Sequence, residues 1–81
     1  MVAYTARLRS PADVGLAVQQ ARLARGLSQT ELAQELGVTQ SAISEIETGS
    51  GTIYLRRLLG IARATGLELT ATWEGEDAPR G

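Results

Sequence analysis

The stretch that decides the fold runs from Ser28 to Glu47 and reads SQTELAQELGVTQSAISEIE. Ser28 and Glu31 have the spacing of a capping box, in which each side chain binds a backbone amide of the first helical turn. Gly37 predicts the end of this helix, because glycine adopts the left-handed cap conformation without strain. Thr39 can then cap a second helix that ends at Glu47. The stretch therefore predicts two short helices joined by a tight turn.

Small and apolar residues in this stretch recur at spacings that fit two packed helices. Counted from Gln29 as position one, alanine occupies position five, glycine position nine, and leucine or valine positions four, eight and ten. Ile43 and Ile46 follow at positions fifteen and eighteen, and we expect both to close the shared core. A helix of about nine residues is not stable alone in water, so the second helix must pack on the first. The pattern is that of a helix-turn-helix motif.

The segments on either side predict further helices. Ser10 and Pro11 are typical of a helix start, and Gly26 of the end of the same helix. After a loop at 48–52, leucines and an alanine at helical spacing predict another helix, which Gly66 ends. We therefore expect an all-α fold, a compact bundle of four or five helices with short strands at its ends.

The two ends of the chain carry the alternating pattern of strands. Residues 2–8 alternate apolar and polar side chains, and residues 67–73 do so more strongly. The apolar side chains of the second strand, which we expect to form a dimer interface, are Leu67, Leu69, Ala71 and Trp73. A monomer would expose this tryptophan, so the strand must pair. It could fold back on the first strand, but we favour pairing with its own copy in a dimer.

These signals divide the chain into an arm at 1–9, a helical domain at 10–66, a dimerisation strand at 67–73 and a tail at 74–81. The tail is acidic, with Glu74, Glu76 and Asp77 against a single arginine, and we expect it to be disordered. It sets the net charge of −1, because residues 1–73 carry seven arginines and six acids.

The composition excludes several classes of protein. The chain has neither cysteine nor histidine, so it can form no disulfide, zinc finger or Ser-His-Asp triad. Glu31 and Glu35 share a helix face, but paired-carboxylate catalysis needs a cleft, and a solvated face explains the pair better. We expect no enzyme activity, no catalytic or metal-binding residue and no cofactor. No apolar stretch is long enough to span a membrane, and we expect a cytoplasmic protein.

The stretch from Arg22 to Gly49 resembles the lambda-repressor and Cro type of helix-turn-helix domain, which includes the xenobiotic-response-element regulators. The resemblance covers about residues 12–66. The flanking sequences SPADVG at 10–15 and GLEL at 66–69 are similar to those of HipB-type antitoxins, in which the C-terminal strand pairs across the dimer. The resemblance implies a lambda-repressor-like domain that binds a palindromic operator in duplex DNA as a homodimer and represses transcription.

The resemblance also implies which residues contact DNA. The start of the second motif helix enters the major groove, so its polar side chains are expected to contact bases: Gln40, Ser41, Ser44 and Glu45. Glutamine can form two hydrogen bonds with adenine and glutamate can accept one from cytosine, although a glutamate exposed to solvent explains Glu45 equally well. Backbone contacts are expected from Gln29, Thr39, Thr48, Ser50 and Thr52. Arg22 and Glu47 match a structural ion pair of the family.

One departure from the family pattern lies after Gly49, where the sequence Ser-Gly-Thr-Ile lacks the usual lysine or arginine. Arg56 and Arg57 could replace it from the next helix. The shortage of cations predicts weak DNA binding by a single domain.

These expectations favour the antitoxin of a HipA/HipB-like module, whose toxin partner is a kinase and whose operon the antitoxin represses. Two alternatives stay open. One is a protein-binding module that neutralises its partner while DNA binding is secondary, which the pI of about 5.3 favours. The other is a plain phage-type or metabolic repressor without a toxin.

Overall fold

The computed structural model describes residues 1–50 and 52–75 of the 81-residue chain. The elements follow one another as β1 (Val2–Arg7), α1 (Pro11–Ala24), α2 (Gln29–Leu36), α3 (Gln40–Glu47), α4 (Ile53–Thr65) and β2 (Thr70–Gly75). The expected helical domain with short terminal strands is confirmed, with four helices. The buried core is small and consists of Ala17, Ala33, Ile43, Leu59 and Ala62.

Local capping sets the helix boundaries. The hydroxyl of the residue before each helix accepts a hydrogen bond from a backbone amide of the first turn, and these residues are Ser10, Ser28, Thr39 and Thr52. The predicted capping box is complete, because the Glu31 carboxylate accepts from the Ser28 amide at 2.9 Å and the Ser28 hydroxyl accepts from the Glu31 amide at 3.0 Å. Serine and threonine at these positions satisfy amides that have no partner inside the helix.

The first and third helices meet at Gly15. A Cβ atom placed on Gly15 would overlap the carbonyl oxygen of Ile46 and lie 2.7 Å from that of Glu47. No side chain fits between the two backbones, so glycine permits α3 to end directly against α1. The expectation that Ile46 closes the core is wrong, because its exposed fraction is 43% whereas that of Ile43 is 4%.

The two strands pair in antiparallel orientation within one chain, with Val2 opposite Gly75 and Arg7 opposite Thr70. Tyr4 lies opposite Trp73, and their rings stack with centroids 5.9 Å apart. Trp73 is therefore half-buried in a single chain, and the expectation that a monomer would expose it is wrong.

The second strand also differs in its limits from the predicted one. It begins at Thr70 and ends at Gly75, so residues 67–69 precede it, and Glu74 and Gly75 belong to it rather than to the tail. Pairing with β1 determines these limits, since the ladder runs from the Arg7–Thr70 pair to the Val2–Gly75 pair. The rest of the predicted tail, residues 76–81, lies outside the described residues.

The close approach at Gly15 generates a prediction. We expect Gly15→Ala to lower the free energy of unfolding by about 1–3 kcal/mol, because the methyl group must displace backbone rather than a flexible side chain. Urea denaturation followed by circular dichroism measures the change.

Gly60 in α4 is the matched control, because a Cβ there would meet only the Arg63 guanidinium, at 4.0 Å. We expect Gly60→Ala to be neutral or to stabilise the protein by about 0.5–1 kcal/mol, since alanine is the better helix former. Equal effects of the two substitutions would contradict the close approach of α3 to α1 at Gly15.

Candidate nucleic-acid interface

The turn between α2 and α3 fixes the relative position of the two helices. Gly37 has a φ of 68°, and the amide of the next residue, Val38, donates to the Ala33 carbonyl at 3.0 Å. Ala33 has an exposed fraction of 2%, which shows how closely the helices approach. The methyl group of alanine fills this space where a larger side chain would separate the helices.

The predicted ion pair between Arg22 and Glu47 is present and bidentate. Arg22 Nε lies 2.7 Å from Glu47 Oε2, and Arg22 Nη2 lies 3.0 Å from Glu47 Oε1. The third nitrogen, Nη1, donates to the Leu27 carbonyl at 2.7 Å. The exposed fractions of the two side chains are 9% and 2%, so both charges lie beneath the surface. The contact joins α1, the segment before α2 and the end of α3.

Two glutamines extend this contact to the surface. Gln29 Nε2 donates to Glu47 Oε1 at 3.1 Å, and Gln40 Nε2 donates to Gln29 Oε1. Gln40 is the first residue of α3 and its side chain is exposed, so a continuous set of hydrogen bonds runs from Arg22 to the start of α3. We call these four side chains the Arg22–Gln40 network. Sequence reasoning assigned both glutamines to the interface but missed the hydrogen bond between them.

The network alters the ionisation of its charged members. The hydrogen bond from Arg22 holds the pKa of Glu47 below its usual range, with a smaller contribution from Gln29, while burial acts in the opposite direction. The same hydrogen bond with Glu47 raises the pKa of Arg22. Hydrogen bonds to a carboxylate favour its charged form, so Glu47 stays negative at neutral pH.

The other polar residues of α3 share one face of the helix. Because successive residues turn by about 100°, positions 40, 41, 44 and 45 fall within an arc of about 140°. Gln40, Ser41 and Glu45 are exposed and Ser44 is half-buried. The structure thus brings the four predicted base-contacting residues together, and Gln40 lies beside Gln29.

The predicted hydroxyl contacts divide into two groups. Thr39 and Thr52 accept backbone amides as helix caps, which leaves each hydroxyl proton available to a phosphate oxygen. Thr48 instead donates to the Glu45 carbonyl at 3.0 Å, so it would have to break this bond to donate to DNA. The Ser50 hydroxyl oxygen lies 3.4 Å from that of Thr48, and the Ser50 amide donates to the Glu45 carbonyl as well.

Few cations accompany these groups. Arg22 is bound to Glu47, and Arg25 lies 3.8 Å from Glu35. Arg56 and Arg57, near the start of α4, have no acidic partner among residues 1–50 and 52–75 and are free to meet phosphate.

Other kinds of site receive no support from the described residues. Within residues 1–50 and 52–75, no three histidine, cysteine, aspartate or glutamate side chains are grouped so that they could hold a metal ion. None of the helices in that part of the chain has the length and apolar character needed to cross a membrane.

Comparison with known proteins agrees with this geometry. A helix-turn-helix family matches residues 18–71, which include α2, the turn and α3. The chain is 31% identical over 70 residues to the uncharacterized HTH-type transcriptional regulator y4mF of Sinorhizobium fredii (strain NBRC 101917 / NGR234), which covers 86% of this chain and 92% of that protein. No solved structure matches the chain significantly. The chain belongs to the helix-turn-helix family.

The lowered pKa of Glu47 predicts how stability depends on pH. A carboxylate whose pKa is lower in the folded state stabilises that state fully above its unfolded pKa, and this contribution disappears as the pH falls through the folded pKa. We therefore expect wild-type stability to decline as the pH falls below the ordinary glutamate value of 4.5. In Glu47→Gln this decline should be shallower, because the amide does not titrate.

Urea midpoints measured between about pH 7 and pH 3 test this expectation. Glu31→Gln is the comparison, since the backbone amide of Ser28 also lowers the pKa of Glu31, but at an exposed helix start. A wild-type protein and a Glu47→Gln variant with parallel pH profiles would contradict a role of Glu47 in acid sensitivity.

Proposed function

We propose that the chain is a sequence-specific DNA-binding transcriptional repressor that acts as a homodimer on a palindromic operator. The Arg22–Gln40 network is the observation that carries the proposal. It holds an exposed glutamine at the start of α3, where helix-turn-helix proteins present side chains to the major groove. A side chain that is already held by a hydrogen bond loses less conformational entropy on binding than a free one.

The hydrogen-bonding capacity of Gln40 fits adenine. Its amide group has two N–H donors and one carbonyl oxygen, and only one N–H is used, in the bond to Gln29. The remaining N–H can donate to adenine N7 while the oxygen accepts from adenine N6, which is the bidentate contact that glutamine makes in the major groove. The existing bond to Gln29 therefore orients Gln40 without consuming the groups that read the base.

Counting the hydrogen-bond donors and acceptors of Gln29 in the same way favours a contact between Gln29 and the DNA backbone. Its oxygen accepts from Gln40 and one of its N–H groups donates to Glu47, which leaves one N–H for a phosphate oxygen. The hydroxyls of Thr39 and Thr52 and the guanidinium groups of Arg56 and Arg57 would add contacts to the backbone. Ser41, Ser44 and Glu45 complete the base-reading face, with Glu45 as an acceptor for cytosine.

A homodimer follows from the small footprint of one such domain, which reads only a few base pairs. Two copies whose α3 helices are about 34 Å apart would reach successive major grooves of a palindrome. Pairing of β2 with its own copy remains a prediction. The support for this pairing is the outer edge of β2, which β1 does not occupy.

The backbone pattern identifies the groups on that outer edge. The amide of Leu8 donates to the carbonyl of Leu69, its opposite residue, at 2.8 Å. Bonded and non-bonded pairs alternate along an antiparallel ladder, so the backbone groups of Thr70, Thr72 and Glu74 point away from β1. The interface would thus use these backbone groups, while the side chains of Ala71 and Trp73 stay on the half-buried face.

Within this function, we place the chain as the antitoxin of a HipA/HipB-like module with a kinase-type toxin as its partner. The flanking sequences and the few free cations support this, because a bound toxin could add basic surface and a second point of attachment. The acidic residues Glu76 and Asp77 would offer a docking segment. A protein-binding module in which DNA binding is secondary is the second candidate, favoured by the same shortage of cations.

Substitution of the two glutamines tests the DNA-binding mode. We expect Gln40→Ala to weaken operator binding by about 1–3 kcal/mol and to relax the preference at one base pair in each half-site. Gln29→Ala should weaken binding to all sequences and also lower selectivity, because Gln40 loses its orienting bond. Gel-shift titration against a randomised operator library measures both effects.

Gln20, exposed on α1, is the matched control, and Gln20→Ala should leave affinity and preference unchanged. If Gln40→Ala preserved both quantities, α3 would not be the recognition helix.

Co-expression with the product of the neighbouring gene tests the antitoxin role. We expect the two proteins to elute together in gel filtration and the complex to bind the operator more tightly than the dimer alone, since bivalent attachment raises avidity. A neighbour that does not elute with the chain and leaves operator affinity unchanged would reduce the function to that of a plain repressor.

A further inference from the structure

A cleft of about 300 Å³ lies between the end of β1 and the last turns of α4. Its walls come from the end of β1 and the two residues after it, from the C-terminal half of α4, and from the segment 66–69 that leads to β2. Ligand-binding pockets span roughly 300–1,000 Å³, so this cleft has room for a small molecule. We call it the arginine cleft, because Arg7, Arg9 and Arg63 line it.

Two hydrogen bonds hold the walls of the arginine cleft together. The Leu8 amide donates to the Leu69 carbonyl at 2.8 Å, which continues the β1–β2 ladder past its last pair. Arg63 Nη1 donates to the Arg9 carbonyl at 3.2 Å, which ties α4 to the segment after β1. The walls are therefore in place without a ligand, and a preformed site needs less ordering when a ligand binds.

Most of the lining between the arginines is apolar. Apart from the charged residues, leucine, alanine and glycine form the walls. Leu59 is buried, with an exposed fraction of 2%, and Leu8 and Leu69 are half-buried. Leu67 also lines the cleft and is 53% exposed, so it is accessible to a bound molecule. An apolar lining with a few charged groups is the usual composition of a site for a small organic molecule.

The charges around the arginine cleft do not balance. Among the residues that the structure describes, three arginines line it against one carboxylate, that of Glu68, which leaves two positive charges. Glu68 pairs with Arg7 at 2.9 Å. Arg9 and Arg63 have no ion pair in the described part of the chain, and Asp13 accepts the backbone amide of Arg9 instead. Like charges held close together repel, and a bound anion would relieve this repulsion.

We propose that the arginine cleft binds a small carboxylate with an apolar body. The planar guanidinium groups of Arg9 and Arg63 match the two oxygens of a carboxylate, and the leucines would cover the apolar body. Arg63 donates one N–H group to the Arg9 carbonyl, and its other N–H groups remain for the ligand. This site goes beyond the proposed DNA-binding function and does not depend on it.

The position of the arginine cleft favours a free anion over DNA as its occupant. The cleft takes Leu59 and Arg63 from the second half of α4, whereas Thr52 and Arg56, which we propose to contact DNA, lie at its start. A helix of 13 residues is about 20 Å long, so the two regions are well separated. A DNA phosphate would also leave the leucines of the cleft uncovered.

Titration of the full chain with hexanoate, followed by nuclear magnetic resonance at constant ionic strength, tests the proposal. The chemical-shift changes should fit a single site and be largest for residues of the cleft, such as Leu59 and Leu69. Hexanol lacks the charge and acetate lacks the apolar body. Each should bind about tenfold more weakly or worse, because a hydrogen-bonded charge and the burial of several CH₂ groups each contribute at least that factor.

Removal of the two unpaired arginines should weaken this binding. We expect Arg9→Gln with Arg63→Gln to raise the dissociation constant for hexanoate about tenfold or more, because both charged donors are lost. Arg56→Gln with Arg57→Gln is the matched control, since it removes the same charge outside the cleft. The control pair should leave hexanoate binding unchanged and weaken operator binding, whereas the Arg9 and Arg63 pair should have the reverse effect.

Two further variants give readouts that a purely structural role of the cleft would not produce. Glu68→Gln should strengthen hexanoate binding several-fold, because it removes the carboxylate and frees Arg7. The side chains of this ion pair are 67% and 52% exposed, so its loss should leave the fold intact. Leu67→Ser should weaken hexanoate but not acetate, and Leu23→Ser, 54% exposed on α1, is its control. Circular dichroism checks the folding of every variant.

Each result supports or overturns the proposal. Cleft-centred shifts that the double arginine variant abolishes and Glu68→Gln enhances would support it. Inorganic phosphate that binds as tightly as hexanoate, with no effect of Leu67→Ser, would replace the proposed ligand by any small anion. Operator affinity that falls in the Arg9 and Arg63 variant would assign these arginines to DNA. Hexanoate and benzoate that both cause no saturable shift would overturn the site, while operator binding by the same protein would leave the repressor function standing.

Discussion

The ion pair between Arg22 and Glu47 holds the helix-turn-helix unit together. The Glu47 carboxylate is 2% exposed and accepts two hydrogen bonds from Arg22 and one from Gln29. A buried charge without its partner costs about 3–5 kcal/mol, so α1, α2 and α3 are restricted to arrangements that satisfy this carboxylate. The Glu47 carboxylate that orders the helices also holds Gln29, which in turn holds Gln40 at the surface, so stability and the proposed base contact would depend on one group.

Steric fit at Gly15 makes this electrostatic contact possible. Glu47 is the last residue of α3, and its carbonyl approaches the α1 backbone closely enough to exclude a Cβ. A larger residue at position 15 would move the end of α3 outward and draw the carboxylate away from Arg22, two turns further along α1. Gly15 thus permits the end of α3 to approach α1, and Arg22 supplies the positive charge that the buried Glu47 carboxylate needs there.

Local rules predicted most of the fold, and the errors lie where distant residues decide. Ser28 and Gly37 act within a single turn of helix, so their effects could be predicted from the sequence alone. The limits of β2 depend on pairing with β1, and the alternation that begins at Leu67 carries no information about that partner. The bond between Gln29 and Gln40 joins two helices and leaves no periodic signal, although the family resemblance placed both residues at the interface.

The shortage of cations changes how such a regulator would be controlled. Arg56 and Arg57 have no acidic partner among residues 1–50 and 52–75, and each phosphate that they neutralised would contribute to affinity through the release of counterions. With few phosphate contacts, one domain would have little sequence-independent affinity, and in the proposed homodimer tight binding would come from joining two half-sites in one molecule. Occupancy of the operator would then follow the monomer–dimer equilibrium. The outer edge of β2, if it pairs two copies as proposed, would set the concentration at which repression begins.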